Sequence, residues 1–137
     1  EHRLLVLADQ LRTRIAVAAA EFDLTPQQAI VVRYLAQPRT MGQLATTLGC
    51  DRSNVTGLIA RLERRGFVQK VSDPGDRRVK RLVLTDEGQV CRTSLQARLV
   101  TDSPATARLE VEERHALLTI VRKLTPSSDG TGPDETA

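Results

Sequence analysis

The sequence predicts a mainly α-helical chain with one small β-hairpin, and three observations carry that prediction. Apolar residues recur every three or four positions over most of the 137 residues, the spacing of helices that bury a single stripe. Thr-x-x-Gln capping signals punctuate that pattern at Thr25–Gln28 and Thr40–Gln43. Only between Phe67 and Leu84 does the period change, across a loop rich in Asp, Pro and Gly.

Each element follows in order. Leu4, Leu5, Ala8, Leu11, Ile15, Ala18 and Ala19 stripe a first helix that ends near residues 21–23. In Thr25-Pro26-Gln27-Gln28, Thr25 caps, Pro26 suits a first turn and Gln28 completes the box. The helix it starts carries Ala29, Ile30, Val32 and Leu35 and stops before Pro38. Thr40-Met41-Gly42-Gln43 launches a short third helix with Leu44, Ala45 and Leu48 inside, and Gly49 ends it. Asp51-Arg52-Ser53-Asn54 is a further cap cluster, opening a fourth helix that is apolar at Val55, Leu58, Ile59 and Leu62 and ended by Gly66. Two helices parted by so short a break containing Gly form a helix-turn-helix. Phe67–Val71 and Lys80–Leu84 read as strands joined by the charged loop Ser72 to Arg78. Thr85-Asp86-Glu87 opens a fifth helix, acidic in its first turn and striped by Val90, Leu95, Leu99 and Val100 up to a break at Ser103-Pro104. The last helix holds Leu109, Leu117, Leu118, Val121 and Leu124. The stretch 125–137 has no apolar anchor and is expected to be disordered.

Composition excludes several function classes. Tyr34, Phe22 and Phe67 are the only aromatic residues, too few for modules that stack unpaired bases. The longest apolar run, Ile15 to Ala20, is far short of a membrane span, so no membrane partner is expected. No basic-then-apolar leader precedes it. Two isolated cysteines, Cys50 and Cys91, suit a reducing cytosol and predict a cytoplasmic protein. No CxxC or HxxxH spacing suggests a metal, and no cofactor is expected. Without a nucleophile elbow, phosphate loop or acid pair, no catalytic residue and no enzyme activity are expected. The acid cluster Glu110, Glu112 and Glu113 reads as the solvated start of the last helix.

Net charge is only +3, but its distribution is uneven. Residues 1–51 are neutral, residues 52–81 carry +6 and residues 82–137 carry −3. A strongly basic segment on a neutral scaffold suits an anionic polymer. On the fourth helix, advancing 100° per residue puts Ser53, Gly57, Ala60 and Arg64 opposite the apolar face, flanked by Asn54, Thr56 and Arg61, with Arg52 at the start. Small Gly57 and Ala60 let such a helix sit deep in a major groove. Asn54 suits adenine, Arg61 suits guanine, and Ser53 and Thr56 suit base edges or phosphates. Any amphipathic surface helix also shows polar residues opposite its core; the helix before it and the basic hairpin after it favour duplex DNA. At the hairpin tip Asp73-Pro74-Gly75 is a turn, Asp76 can bond nearby backbone or brace Arg78, and Arg77 and Arg78 suit the minor groove or its phosphates.

Leu24-Thr25-Pro26-Gln27-Gln28, Met41-Gly42-Gln43-Leu44-Ala45, Asp76-Arg77-Arg78 and Leu84-Thr85-Asp86-Glu87-Gly88 together resemble the MarR family of bacterial regulators, over about residues 2–124. The resemblance implies a winged helix-turn-helix flanked by N- and C-terminal dimerisation helices. It divides the chain into a first dimerisation helix (1–24), a DNA-binding region (25–85), further dimerisation helices (86–124) and the tail (125–137). It further implies a homodimer on palindromic DNA, with Ser53, Asn54, Thr56 and Arg61 facing bases and Arg78 entering the minor groove, oriented by Asp76. The family's wing often reads Asp-x-Arg-Asp-x-Arg; Asp73, Asp76 and Arg78 match, but Gly75 stands at the middle Arg, and Arg77 is the candidate to compensate. Stripes on the first and last helices that the core need not cover independently fit a second copy.

The function expected is a sequence-specific DNA-binding regulator, a repressor released by a small phenolic or aromatic effector as in many family members. Two alternatives share the fold. Cys50, directly before the recognition helix, could serve as a redox sensor because a helix N-terminus can lower a thiol's pKa, or it is simply a small buried apolar residue. A protein-interaction module is the other, and the basic segment speaks against it.

Overall fold

The computed structural model describes residues 1–101 and 107–125. Two units, Glu1–Asp102 and Ser103–Ala137, are each described by themselves.

The first unit holds α1 (His2–Ala20), α2 (Pro26–Tyr34), α3 (Met41–Leu48), α4 (Arg52–Arg64), β1 (Val68–Ser72), β2 (Lys80–Leu84) and α5 (Asp86–Thr101). Both Thr–Gln boxes form. Thr25 accepts from the Gln28 N–H at 3.2 Å and its own N–H donates to Gln28 Oε1 at 2.9 Å; Thr40 and Gln43 repeat the pair at the same distances. Each satisfies two of the donors that a helix start leaves open. Gly49 ends α3 at φ +61°, where a β-carbon would be strained, and so turns the chain into α4 within three residues.

The core gathers Ala18 and Ala19 of α1, Ala29, Val31 and Val32 of α2, Leu44 of α3, Val55, Ile59 and Leu62 of α4, Val68 and Leu82 of the hairpin, and Cys91 and Leu95 of α5. Burying each large side chain contributes roughly 1.5 to 3 kcal/mol. Leu58, expected on the buried face, is only half-buried. Leu4, Leu5 and Leu11 of the α1 stripe remain exposed.

The hairpin pairs antiparallel, Val68 with Leu84, Lys70 with Leu82 and Ser72 with Lys80. β1 begins one residue later than expected because Phe67 serves as a hinge. Its N–H bonds the Leu62 carbonyl, and its own carbonyl accepts from Thr85. Arg39 exchanges both backbone bonds with Leu82, so β2 is flanked on two sides. A one-residue bridge has no periodicity, and the sequence did not announce it.

The α5 stripe differs from expectation. Val90 and Val100 are exposed, while Gly88, Cys91 and Leu95 are buried and Leu99 packs against the core. Positions 88, 91, 95 and 99 keep the helical interval, and Val90 sits about 100° off that face. Gly88 is held at close approach: a β-carbon there would lie 2.0 Å from the Phe67 carbonyl oxygen. Its N–H donates to Thr85 Oγ1 at 3.1 Å, which ties the α5 start to the hinge.

The second unit contributes α6 (Val111–Leu124), whose start is closed by the Glu110 N–H donating to Glu113 at 2.9 Å. None of its residues is buried, Leu117, Leu118, Val121 and Leu124 included. The expected break at Ser103-Pro104 and the tail beyond Thr125 lie outside the described residues. Among the described residues no helix is long and apolar enough to cross a membrane.

Candidate nucleic-acid interface

α4 buries one face and presents the other. Val55, Ile59 and Leu62 have no exposure, whereas Arg52, Ser53, Asn54, Thr56, Gly57, Ala60, Arg61 and Arg64 are all exposed. The packing of α4 on α3 and β1 fixes that orientation. Asp51 occupies the N-cap, but its side chain makes no cap hydrogen bond at the positive end of α4. Thr56 spends its hydroxyl proton on the Arg52 carbonyl at 2.8 Å, leaving its oxygen as an outward acceptor. Gly57 has open space where a β-carbon would stand. Arg52 leans back over α3, its Nη2 lying 3.3 Å from the position of a β-carbon on Gly42.

The wing is tied down by its acids. Asp73 Oδ1 accepts the N–H groups of Gly75 at 2.8 Å and Asp76 at 3.1 Å, and Oδ2 accepts Arg81 Nε across the hairpin. Asp76 accepts the backbone N–H of Arg78 at 2.9 Å. The Arg81 guanidinium, with help from the Gly75 N–H, holds the Asp73 carboxyl below the usual carboxylate range. Arg77 and Arg78 are exposed at the tip.

The cations of the basic segment fall into two classes that charge counting does not separate. Arg65 donates to the Phe22 and Asp23 carbonyls and lies 5.1 Å from the Phe67 ring centroid; Lys70 pairs with Glu63 at 2.9 Å. Lys80 donates to Ser72 Oγ at 2.7 Å, and Arg81 pairs with Asp73. These four serve the fold. Among the described residues, the guanidinium groups of Arg52, Arg61, Arg64, Arg77 and Arg78 have no hydrogen-bond or ion-pair partner. Sequence reasoning missed the Asp73–Arg81 pair. Its signal is an acid just past the end of one strand and a base near the start of the next, joined by a tight turn.

Cys50 is a free thiol at the α3–α4 turn, half-buried and packed against the core. An open groove beside it is lined by Gly42, Ala45, Thr46, Gly49 and Asn54. Cys91 is buried, and desolvation pushes its thiol up, partly offset by Arg65. Among the described residues no group of three or more His, Cys, Asp or Glu side chains could hold a metal ion.

Compared with known proteins, residues 22–79 match the sequence model of the MarR family. The transcriptional activatory protein BadR of Rhodopseudomonas palustris is 37% identical over 92 residues, 64% of this chain and 53% of BadR. The transcriptional regulator HosA of Escherichia coli O111:H- is 30% identical over 105 residues, 74% of this chain and 78% of HosA. The chain thus spans about half the length of the first relative and about three quarters of the second. Among solved structures, the transcription regulator MarR from Oenococcus oeni PSU-1 is similar with a TM-score of 0.71 at 26% identity, over 90% of this chain and 96% of that one.

Proposed function

The chain belongs to the MarR family of winged-helix, DNA-binding transcriptional regulators, and from that premise we propose that it binds palindromic duplex operators as a homodimer in the cytoplasm. In this role it represses the adjacent gene and is released by a small phenolic or aromatic effector, the signal common in the family. BadR carries the opposite sign of regulation in its name, so a reporter assay decides the sign here.

The observation that carries the proposal is the set of five arginines without a partner among the described residues: Arg61 and Arg64 on the outward face of α4, Arg52 at its start, and Arg77 and Arg78 at the hairpin tip. A solvated face has no need to gather its cations around a small-residue helix surface. In the proposed complex Asn54 reads adenine and Arg61 guanine, Ser53 and Thr56 meet base edges or phosphates, Gly57 admits the backbone, and Arg52 and Arg64 hold phosphates. Arg77 and Arg78 enter the minor groove or grip its rim. Residues 25–85 form the DNA-binding region, and 1–24 with 86–124 the dimer contacts. The exposed leucines of α1, and separately those of α6, support a second copy. Two recognition helices would then lie about 34 Å apart.

The test is binding to a duplex selected from a random pool, titrated with salt. Five free cations per subunit, ten per dimer, set a slope of log affinity against log salt no steeper than about −9, whereas engaging all nine cations of the segment would give about −16. A slope near zero, or no duplex bound at all, would remove DNA as the partner.

A further inference from the structure

The wing contains a device that DNA contact alone does not require. Asp73 follows directly on β1, and its side chain is 14% exposed although it stands in a charged loop. Both its oxygens are engaged within the wing, Oδ1 by two backbone N–H groups of the tip and Oδ2 by Arg81. The backbone closes the same loop from both sides: Asp73 N–H donates to the Val79 carbonyl, and Val79 N–H to the Asp76 carbonyl, both at 2.9 Å. Arg81 is not a tip residue. It sits within β2 opposite Val71, with its Nε on the carboxylate. A β-carbon on Gly75 would stand 3.2 Å from Asp73 Oδ1, so position 75 lies against this carboxylate and takes its smallest residue there. Arg77 and Arg78 project from the loop so fixed, and neither guanidinium takes part in holding it.

We propose that Asp73, with Arg81 as its counterion, is the positioning residue of the wing: the pair sets the tip from which Arg77 and Arg78 reach DNA, and Arg81 makes no phosphate contact of its own. The proposal rests on the DNA-binding role of the wing given above. It assigns one of the cations of the basic segment to geometry instead of to affinity. A flexible tip would have to order its arginines at the moment of binding, and that entropy would be charged against every contact they make.

Asp73→Asn separates the possibilities because charge and geometry then act in opposite directions. The amide oxygen can still accept from Gly75 and Asp76, but its NH2 meets Arg81 Nε donor to donor. Each subunit becomes one unit more positive, and Arg81 is released. Were Arg81 a phosphate ligand in waiting, the variant would bind DNA more tightly, with a steeper salt slope. The expected result is roughly five- to tenfold weaker binding of the full chain to its selected duplex, with a shallower slope as wing contacts are lost. Arg81→Gln should weaken binding similarly, and the double variant should be no weaker than either single one, because both break one unit. In the free protein, hydrogen exchange at the Gly75 and Asp76 amides should quicken in Asp73→Ala, a local readout that survives even if a variant is unstable. Wild-type affinity or better in Asp73→Asn, or additive losses in the double variant, would overturn the proposal and leave DNA binding standing. Failure of the unmodified chain to bind any duplex would instead remove the DNA reading itself.

Discussion

Gly57 offers the sharpest separation of stability from recognition. It stands in the middle of α4, where a glycine costs about 0.8 to 1.0 kcal/mol relative to alanine. Nothing within 4 Å would meet a β-carbon there, so no internal contact explains the residue. Gly57→Ala should therefore stabilise the fold by close to 1 kcal/mol, raising Tm by about 3 to 4 °C for a chain of this length. Gly57→Leu, also a good helix former, should stabilise almost as much. On DNA the order reverses, because Gly57 shares its face with Ser53, Asn54 and Arg61. A leucine there holds the helix away from the groove floor and should lower affinity for the selected duplex by about tenfold or more, within the range of a lost base contact. Thermal melting and a binding isotherm on the same preparations measure both. If Gly57→Leu melts higher yet binds like the unmodified chain, this face of α4 does not enter a groove. If Gly57→Ala melts lower, the glycine is kept for a reason inside the fold, contrary to the open space around it.

Three further outcomes are expected. Gly88→Ala should destabilise by about 1 to 3 kcal/mol in denaturant titration, since its methyl group would drive into the Phe67 carbonyl and pry α5 from the hinge. Arg61→Ala should relax base preference while Arg78→Ala weakens all sequences, each by about 1 to 3 kcal/mol, read by comparing selected and scrambled duplexes. For pH, the Asp73 carboxyl is lowered in the folded chain, so its contribution to wing order is complete above the ordinary unfolded value of about 3.9 and is lost only as pH falls through the lowered one. The Gly75 and Asp76 amide resonances should stay constant from neutral pH to about pH 5 and shift below about pH 4; a transition centred above pH 5 would contradict the pairing.

What could be read in advance was what depends on near neighbours. Both Thr–Gln boxes, the Gly49 stop and the buried face of α4 at Val55, Ile59 and Leu62 follow from spacings of three and four residues. The outward face of α4 follows as the complement of the buried one. The misses lie where the partner is remote in sequence or where two frames compete. Val90 looked like core because it is apolar, but Cys91, one position on, is in phase with Leu95 and Leu99 and takes the face. The Arg39–Leu82 bridge joins residues 43 positions apart without any repeat to announce it. At the wing the local bond is legible, Asp76 accepting the backbone N–H of Arg78 two positions on, whereas the Asp73–Arg81 pair is not, because only the β1–β2 register brings Arg81 to Asp73.

That register also relocates the charge. The segment 52–81 carries +6 however its groups are paired, but pairing decides where the field arises. Lys70 with Glu63 and Arg81 with Asp73 form close, nearly neutral units, and both involve the strands. Arg65 keeps its charge but spends its donors on the Phe22 and Asp23 carbonyls, away from any ligand. Lys80 also keeps its charge, since its partner is the neutral Ser72 hydroxyl. Most of the uncompensated charge therefore sits along α4 and at the wing end of the hairpin, where Asp76 offsets part of that of Arg77 and Arg78. With screening over about 8 Å at physiological salt, each source acts mainly on the stretch of polyanion next to it. A duplex can satisfy both at once because its major and minor grooves, and the phosphates between, pass successively over one face of a bound protein. A compact acidic protein surface would meet one source and leave the other in water, which is why the division of charge, more than its amount, favours a duplex.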